Sequence, residues 1–222
     1  MGLSEMKQYK NIVFDVDGVL LDTMSIWANS ANQYLKEVFD IDAPEDIDRT
    51  CATMSLMEAG AYIKELYPQI SLTPAQMAEG VAEFIREQYV KAPSTGYMVE
   101  TVRKLYGKGY HLFLATASDE ENVKRALMYH GVWECFEAVY TCTEIGYSKN
   151  YVEFFEKVAS QIGVSCRELV MVEDSIHSVL SAKQAGFSTI GVYEKSSADK
   201  WQEMQKHCNV CVENLAELMT IF

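Results

Sequence analysis

The sequence predicts an α/β protein with a Rossmann-like parallel sheet core, helices on both faces and an inserted α-helical cap subdomain. From Leu105 onward, short apolar runs alternate with helix-length segments. Repeated β-α units of that length build a parallel sheet covered by its crossover helices. One further strand-like run, Ile12-Val13-Phe14, stands far ahead of that region and leads straight into acidic residues. Between the two lies a stretch with helical patterning and no convincing strand.

The helical stretch reads as helices over 23–39, 56–66 and 73–90. Thr73 serves as N-cap of the last, with Pro74 at the first helical position. A helix over 96–106 rejoins the alternating region. Strand 110–115 follows, then helix 118–130, opened by a capping box of Ser118 and Glu121 and closed by Gly131. Next come strand 138–141, helix 150–162, strand 169–172 and helix 176–185, which stops before Gly186. Strand 188–192 and helix 198–207 complete the pattern. The expected division is a core of 1–21 and 94–222 with an insert of 22–93.

At 222 residues the chain can bury one large core plus a subdomain. It is 49% hydrophobic, with no apolar run near the roughly 18 residues of a membrane span. The first ten residues are polar and lack the apolar centre of a signal peptide, so a cytoplasmic protein is expected. A net charge of −13 argues against a nucleic-acid surface, which needs clustered Lys and Arg. Asp40, Asp42, Glu45, Asp46 and Asp48 read as a solvated acidic loop. The six cysteines are scattered and read as reduced thiols. Cys208 and Cys211 form a CxxC with His207 adjacent, but no second ligand pair completes a four-ligand zinc site. Nothing demands more than a monomer.

The chemistry concentrates in Asp15-Val16-Asp17-Gly18. Residues i and i+2 of an extended segment share a face, so two carboxylates project together from the carboxyl end of the first strand. In open α/β sheets ligands bind at that end, and Gly18 allows a sharp turn there. Paired carboxylates repel, and a hard divalent cation with oxygen ligands removes the conflict. A calcium loop fits poorly, because its fifth and sixth positions would be Val19 and Leu20. Thr116-Ala117-Ser118 places hydroxyls at a strand end beside a helix start, a setting suited to phosphate. Lys149 opens the predicted helix 150–162, where the macrodipole disfavours a cation unless an anion is near. Leu169-Val170-Met171-Val172 runs into Glu173-Asp174, a second acidic pair able to complete an oxygen shell.

Together, DVDGVLLDT (15–23), TAS (116–118), Lys149 in GYSKNYVEFF and VEDS (172–175) resemble the haloacid dehalogenase-like hydrolases, in their phosphatase and β-phosphoglucomutase-like branch. The resemblance spans nearly the whole chain and matches the helical cap that this family inserts after its first motif. It implies Asp15 as nucleophile, forming an aspartyl-phosphate, and Asp17 as acid then base. It implies Mg²⁺ between the Asp15 carboxylate, the Asp17 backbone carbonyl and Asp174, with Glu173 in or near the shell. Thr116 and Lys149 would hold the phosphoryl oxygens, with Gly18, Ala117 and Ser118 around the phosphate. A small phosphorylated metabolite is the implied substrate.

Dehalogenases lack the second aspartate, and phosphonate hydrolases also depart from the DxD pattern, so Asp17 speaks for phosphoryl transfer. Mutases usually carry a histidine early in the first cap helix, where this chain has Trp27. The segment 49–55 lacks the glycine and arginine pattern of that branch, which favours hydrolysis over mutase chemistry. A non-catalytic binding module is the remaining class. Ser148 and Asn150 replace the Gly and Pro usual around the lysine, and Ser178 replaces a usual glycine after the fourth motif. Arg49, Thr53 and Lys64 are the candidates for selecting substrate.

Overall fold

The computed structural model describes residues 6–51 and 54–222. The chain divides into two compact units, one of Met1–Asp22 with Pro93–Phe222 and one of Thr23–Ala92. The expectations attached to Thr53 and to the side chain of Trp27 lie outside the described residues.

The first unit is built on one parallel sheet. Its strands are β1 (Asn11–Phe14), β2 (His111–Thr116), β3 (Ala138–Thr141), β4 (Leu169–Glu173), β5 (Ser188–Val192) and β6 (Val210–Val212), in spatial order β3-β2-β1-β4-β5-β6. Every residue of β4 and β5 is buried, which explains the unbroken apolar run Leu169–Val172 of β4, since a parallel sheet covered on both faces needs no alternation. Val13, Phe113 and Met171 pack with Phe154, Phe155, Val158 and Ala159 in one core cluster. β1 pairs with both β2 and β4, Phe14 standing level with Leu114 and Val172. The strand order reverses around β1, and at such a switch point the loops after the strands open a crevice.

The second unit holds α1 (Met24–Phe39), α2 (Ile47–Cys51), α3 (Leu56–Leu66) and α4 (Pro74–Val90). Thr73 caps α4 as its sequence signature predicts, accepting from Gln76 N–H while Gln76 reaches back. Ser55 and Glu58 form the same reciprocal cap on α3. Asp48 ties α2 to α1 by accepting from the Ala31 and Asn32 N–H groups.

In the first unit, α5 (Met98–Gly107) precedes β2, and α6 (Glu120–Tyr129) follows it. The expected capping box of Ser118 and Glu121 is corrected: Asp119 is the N-cap, accepting from Asn122 N–H. Lys149 does not open a helix either. A short helix, α7 (Cys142–Ile145), follows β3, and α8 (Val152–Ile162) begins three residues beyond Lys149. The macrodipole therefore has no bearing on Lys149, which sits in a turn between helices. α9 (Ile176–Ala185) follows β4 as expected. Over 198–207, a 3₁₀ segment runs through Lys195–Lys200 before α10 (Trp201–His207), because Glu194 accepts from the Ser196 and Ser197 N–H groups and starts the coil early. A final turn, α11 (Leu218–Ile221), closes the chain. Among the described residues no helix is long and apolar enough to cross a membrane.

Candidate active site

The carboxyl ends of β1, β2 and β4, with the turn after α7, bring the expected residues together. Asp15 directly follows β1, and its N–H donates to Val172 O at 2.9 Å, continuing the pairing one residue past the strand. Its side chain meets Lys149 and Glu173 at the carboxyl edge of the sheet. Asp15 Oδ1 accepts from the Val16 N–H at 2.7 Å and from Lys149 Nζ, also at 2.7 Å. Lys149 donates in addition to Glu173 Oε2 at 2.9 Å. Glu173 Oε1 accepts from the N–H groups of Asp174 and Ser175. With both its oxygens engaged, Glu173 is a strut that holds Lys149 and shapes the turn after β4.

Asp15, Glu173 and Asp174 each bring a carboxylate oxygen within 4.8 Å of the others, and all three are buried. Their charges set against the single Lys149 ammonium leave an excess of two negative charges. Burial, reinforced by the Glu173 charge and opposed by Lys149, pushes the Asp15 carboxyl well above the ordinary carboxylate range. Burial likewise raises Glu173 against the pull of Lys149. Asp174 is pushed up to about 7 by burial and by the Asp15 charge. For Lys149, burial works to lower the value, but the Asp15 and Glu173 carboxylates overcome it and hold the amine above the usual lysine range. An all-oxygen donor set carrying two surplus negative charges fits a hard divalent cation, since Mg²⁺ binds through one or two carboxylates and keeps further positions for water or phosphate. The Asp17 side chain stands outside this trio.

Asp17 instead turns toward β2. Its Oδ2 accepts from Ser118 Oγ at 2.7 Å, with Thr116 Oγ1 at 3.5 Å. Thr116, fully buried at the end of β2, accepts from Ser118 N–H at 3.0 Å. Ser118 is thus occupied with Asp17, which is why Asp119 caps α6. Ala117 is exposed beside them.

Gly18 has φ +80°, and a Cβ built there would lie 2.6 Å from Asp174 Oδ2. Only glycine satisfies both the left-handed backbone and the approach of the Asp174 carboxylate. The same Cβ would come within 3.2 Å of Glu194 Cγ. Beside Gly18 opens a cavity of about 290 Å³ lined by Asp22, Thr95, Tyr193, Glu194 and Lys195. No motif in the sequence pointed to it, because its lining comes from three separate loops.

The profile of the haloacid dehalogenase-like hydrolase family matches residues 12–192. The chain belongs to that family. It is 30% identical over 186 residues to the "Probable phosphatase IndB" of Dickeya dadantii, covering 82% of this chain and 80% of that protein. It is 25% identical over 187 residues to the pyrophosphatase PpaX of Halalkalibacterium halodurans, covering 82% of each. Among solved structures, the HAD-hydrolase YfnB of Bacillus subtilis, bound to magnesium, superposes with a TM-score of 0.74 at 18% identity. That match covers 96% of this chain and 98% of YfnB, and it shows the shared fold.

Proposed function

We propose that the protein is a Mg²⁺-dependent phosphatase that hydrolyses a small phosphorylated metabolite through an aspartyl-phosphate on Asp15. The observation that most supports this reading is the placement of Asp15: buried at the end of the central strand, bonded to Lys149, and two residues from a hydroxyl-held Asp17. Relatives named as a phosphatase and a pyrophosphatase favour hydrolysis of phosphate esters or anhydrides.

Asp15 and Asp174, with the backbone carbonyl of Asp17 and with Glu173 behind them, would hold the Mg²⁺. An ion held there would screen the charge of the Asp15 carboxylate from that of the incoming phosphate. The Val16 N–H and Lys149 orient that carboxylate for in-line attack on phosphorus. As the bond to the leaving oxygen breaks, Asp17 gives its proton to that oxygen. Asp17, now ionised, takes a proton from water, whose oxygen attacks the aspartyl-phosphate and frees Asp15 and inorganic phosphate. Lys149 and the Thr116–Ser118 turn offset the charge on the equatorial oxygens. The helical unit Thr23–Ala92 is read as the cap of this family and as the source of substrate selection, with Arg49 and Lys64 as candidate contacts.

The test is phosphate release from a panel of sugar phosphates, nucleotides and phosphoglycolate, with Mg²⁺ and with EDTA, beside Asp15→Asn. Mg²⁺-dependent release absent from a folded Asp15→Asn supports the reading. A substrate rearranged to an isomeric phosphate with no free phosphate would overturn hydrolysis in favour of a mutase. Full activity in Asp15→Asn would overturn the aspartyl-phosphate.

A further inference from the structure

The sheet edge remote in sequence from the catalytic motifs carries a second chemically capable cluster. Cys208 ends α10 and Cys211 lies in β6, both thiols only partly covered by protein. The two intervening residues do not run straight. The Asn209 N–H donates to Thr189 O at 3.0 Å, and Asn209 Oδ1 accepts from Thr189 N–H at 2.8 Å and from Thr189 Oγ1 at 3.2 Å. These bonds bend the chain at Asn209 and place Cys208 over β5, where its Sγ also lies 3.3 Å from Met204 Sδ, while Cys211 runs alongside in β6.

β5 makes room for the pair. Gly191 stands level with Cys211 in the parallel register, and a Cβ at Gly191 would fall 2.8 Å from Cys208 Sγ and 2.6 Å from Met204 Cγ. A side chain at 191 would push Cys208 away, so the missing Cβ is what lets the thiol lie over the strand. The surroundings are apolar, formed by Ile176, Val179, Met204 and Trp201. His207 does not join the cysteines in a metal-holding group; among the described residues the only such group is Asp15, Glu173 and Asp174.

We propose that Cys208 and Cys211 are a reversible dithiol–disulfide site whose oxidant is a low-molecular-weight disulfide. Cys211 is the attacking sulfur. The neighbouring Cys208 holds its thiol below the ordinary range, while the Cys211 sulfur, with burial, raises Cys208. The Cys211 thiolate attacks one sulfur of the small disulfide, whose S–S bond breaks, and one small thiolate leaves. Cys208 loses its proton and attacks the Cys211 sulfur of the mixed disulfide, expelling the second small thiol. The protein loses two hydrogens and two electrons, and the small disulfide gains them as two thiols.

Trypsin cleavage after Lys206 gives a peptide of 207–222 that contains these two cysteines and no other. The full-length protein is equilibrated in mixtures of glutathione and glutathione disulfide, quenched with acid, alkylated, digested and weighed. The expected result is loss of alkylation at both positions together, in a peptide lighter by two hydrogen atoms, reversed by dithiothreitol. Cys208→Ser should instead hold glutathione on Cys211, and Cys211→Ser should react at Cys208 roughly tenfold more slowly. Full alkylation of both thiols, or separate glutathione adducts on each in the wild-type peptide, would overturn the proposal. Protection of the two thiols by Zn²⁺ that EDTA removes, with no internal disulfide, would also overturn it by making the pair a metal site.

Discussion

Replacing Lys149 with methionine tests whether the buried charge cluster is balanced as its geometry indicates. The ammonium lies 2.7 Å from Asp15 Oδ1 and 2.9 Å from Glu173 Oε2, and these side chains are 10%, 7% and 0% exposed. At an effective dielectric of about 20, each contact has a gross attraction of about 6 kcal/mol. Desolvation offsets most of that, and breaking such a pair by removing one partner costs about 3–5 kcal/mol net. The deficit must also depend on pH. Asp15, Glu173 and Asp174 have folded-state values above their unfolded ones. Their contribution to stability is therefore full below about pH 4 and is lost as pH rises through the folded values, about 7 for Asp174. Lys149 lowers all three, so its removal lifts them further and widens the loss at higher pH. Urea unfolding of the metal-free protein should show Lys149→Met less stable by about 3–5 kcal/mol near pH 8 and by much less near pH 5. An equal deficit at both pH values would refute the electrostatic account and assign Lys149 a packing role.

Gly18→Ala places a methyl group 2.6 Å from Asp174 Oδ2 at φ +80°. It should cost about 1–2 kcal/mol in backbone strain alone and raise the Mg²⁺ concentration needed for activity; an unchanged Mg²⁺ titration would count against the role of that approach. Asp17→Asn should slow turnover by roughly 10²–10⁴-fold and allow phosphate to accumulate on Asp15 after an acid quench. Because the Asp17 side chain lies outside the acidic trio, its Mg²⁺ affinity should stay near wild type, and calorimetry showing lost binding would contradict that. Mg²⁺ affinity of the wild-type protein should fall as pH drops through about 7, where Asp174 takes up a proton; a flat calorimetric profile would separate Asp174 from the ion.

The sheet was legible because its central strands carry continuous apolar runs, as Leu169–Val172, which leads straight into Glu173, illustrates. Asp15, Glu173 and Asp174 were legible for a related reason: each follows such a run directly, so fixing the strand fixes the residue. Ser118 and Lys149 do lie beside Asp17 and Asp15, but the local reasons read from the sequence differ from those the structure shows. A serine three residues before a glutamate is a capping signature, and nothing local reveals that its hydroxyl is claimed by Asp17, 101 positions away. The turn carrying Lys149 was hidden because Cys142–Ile145 is a single helical turn, too short for any periodicity to register. The cavity beside Gly18 was invisible for the same kind of reason, since Thr95 and Lys195 meet only once the sheet has formed.

The position of β1 in the middle of the sheet also governs how the protein must fold. β1 occupies residues 11–14, yet its hydrogen-bonded neighbours are residues 111–114 on one side and 169–172 on the other. Neither pairing can form until about 100 or about 158 residues have been brought back, each closure carrying a chain-entropy cost before any contact compensates it. On the ribosome, β1 is made first and waits for β4 to emerge before Asp15, just beyond it, finds Val172. Local helices such as α3 and α4, capped by their own sequence neighbours, can form meanwhile. Such non-local parallel pairing is slow, so the acidic cluster of Asp15, Glu173 and Asp174 is among the last parts of the molecule to exist, and any chain cut before Glu173 can never assemble it.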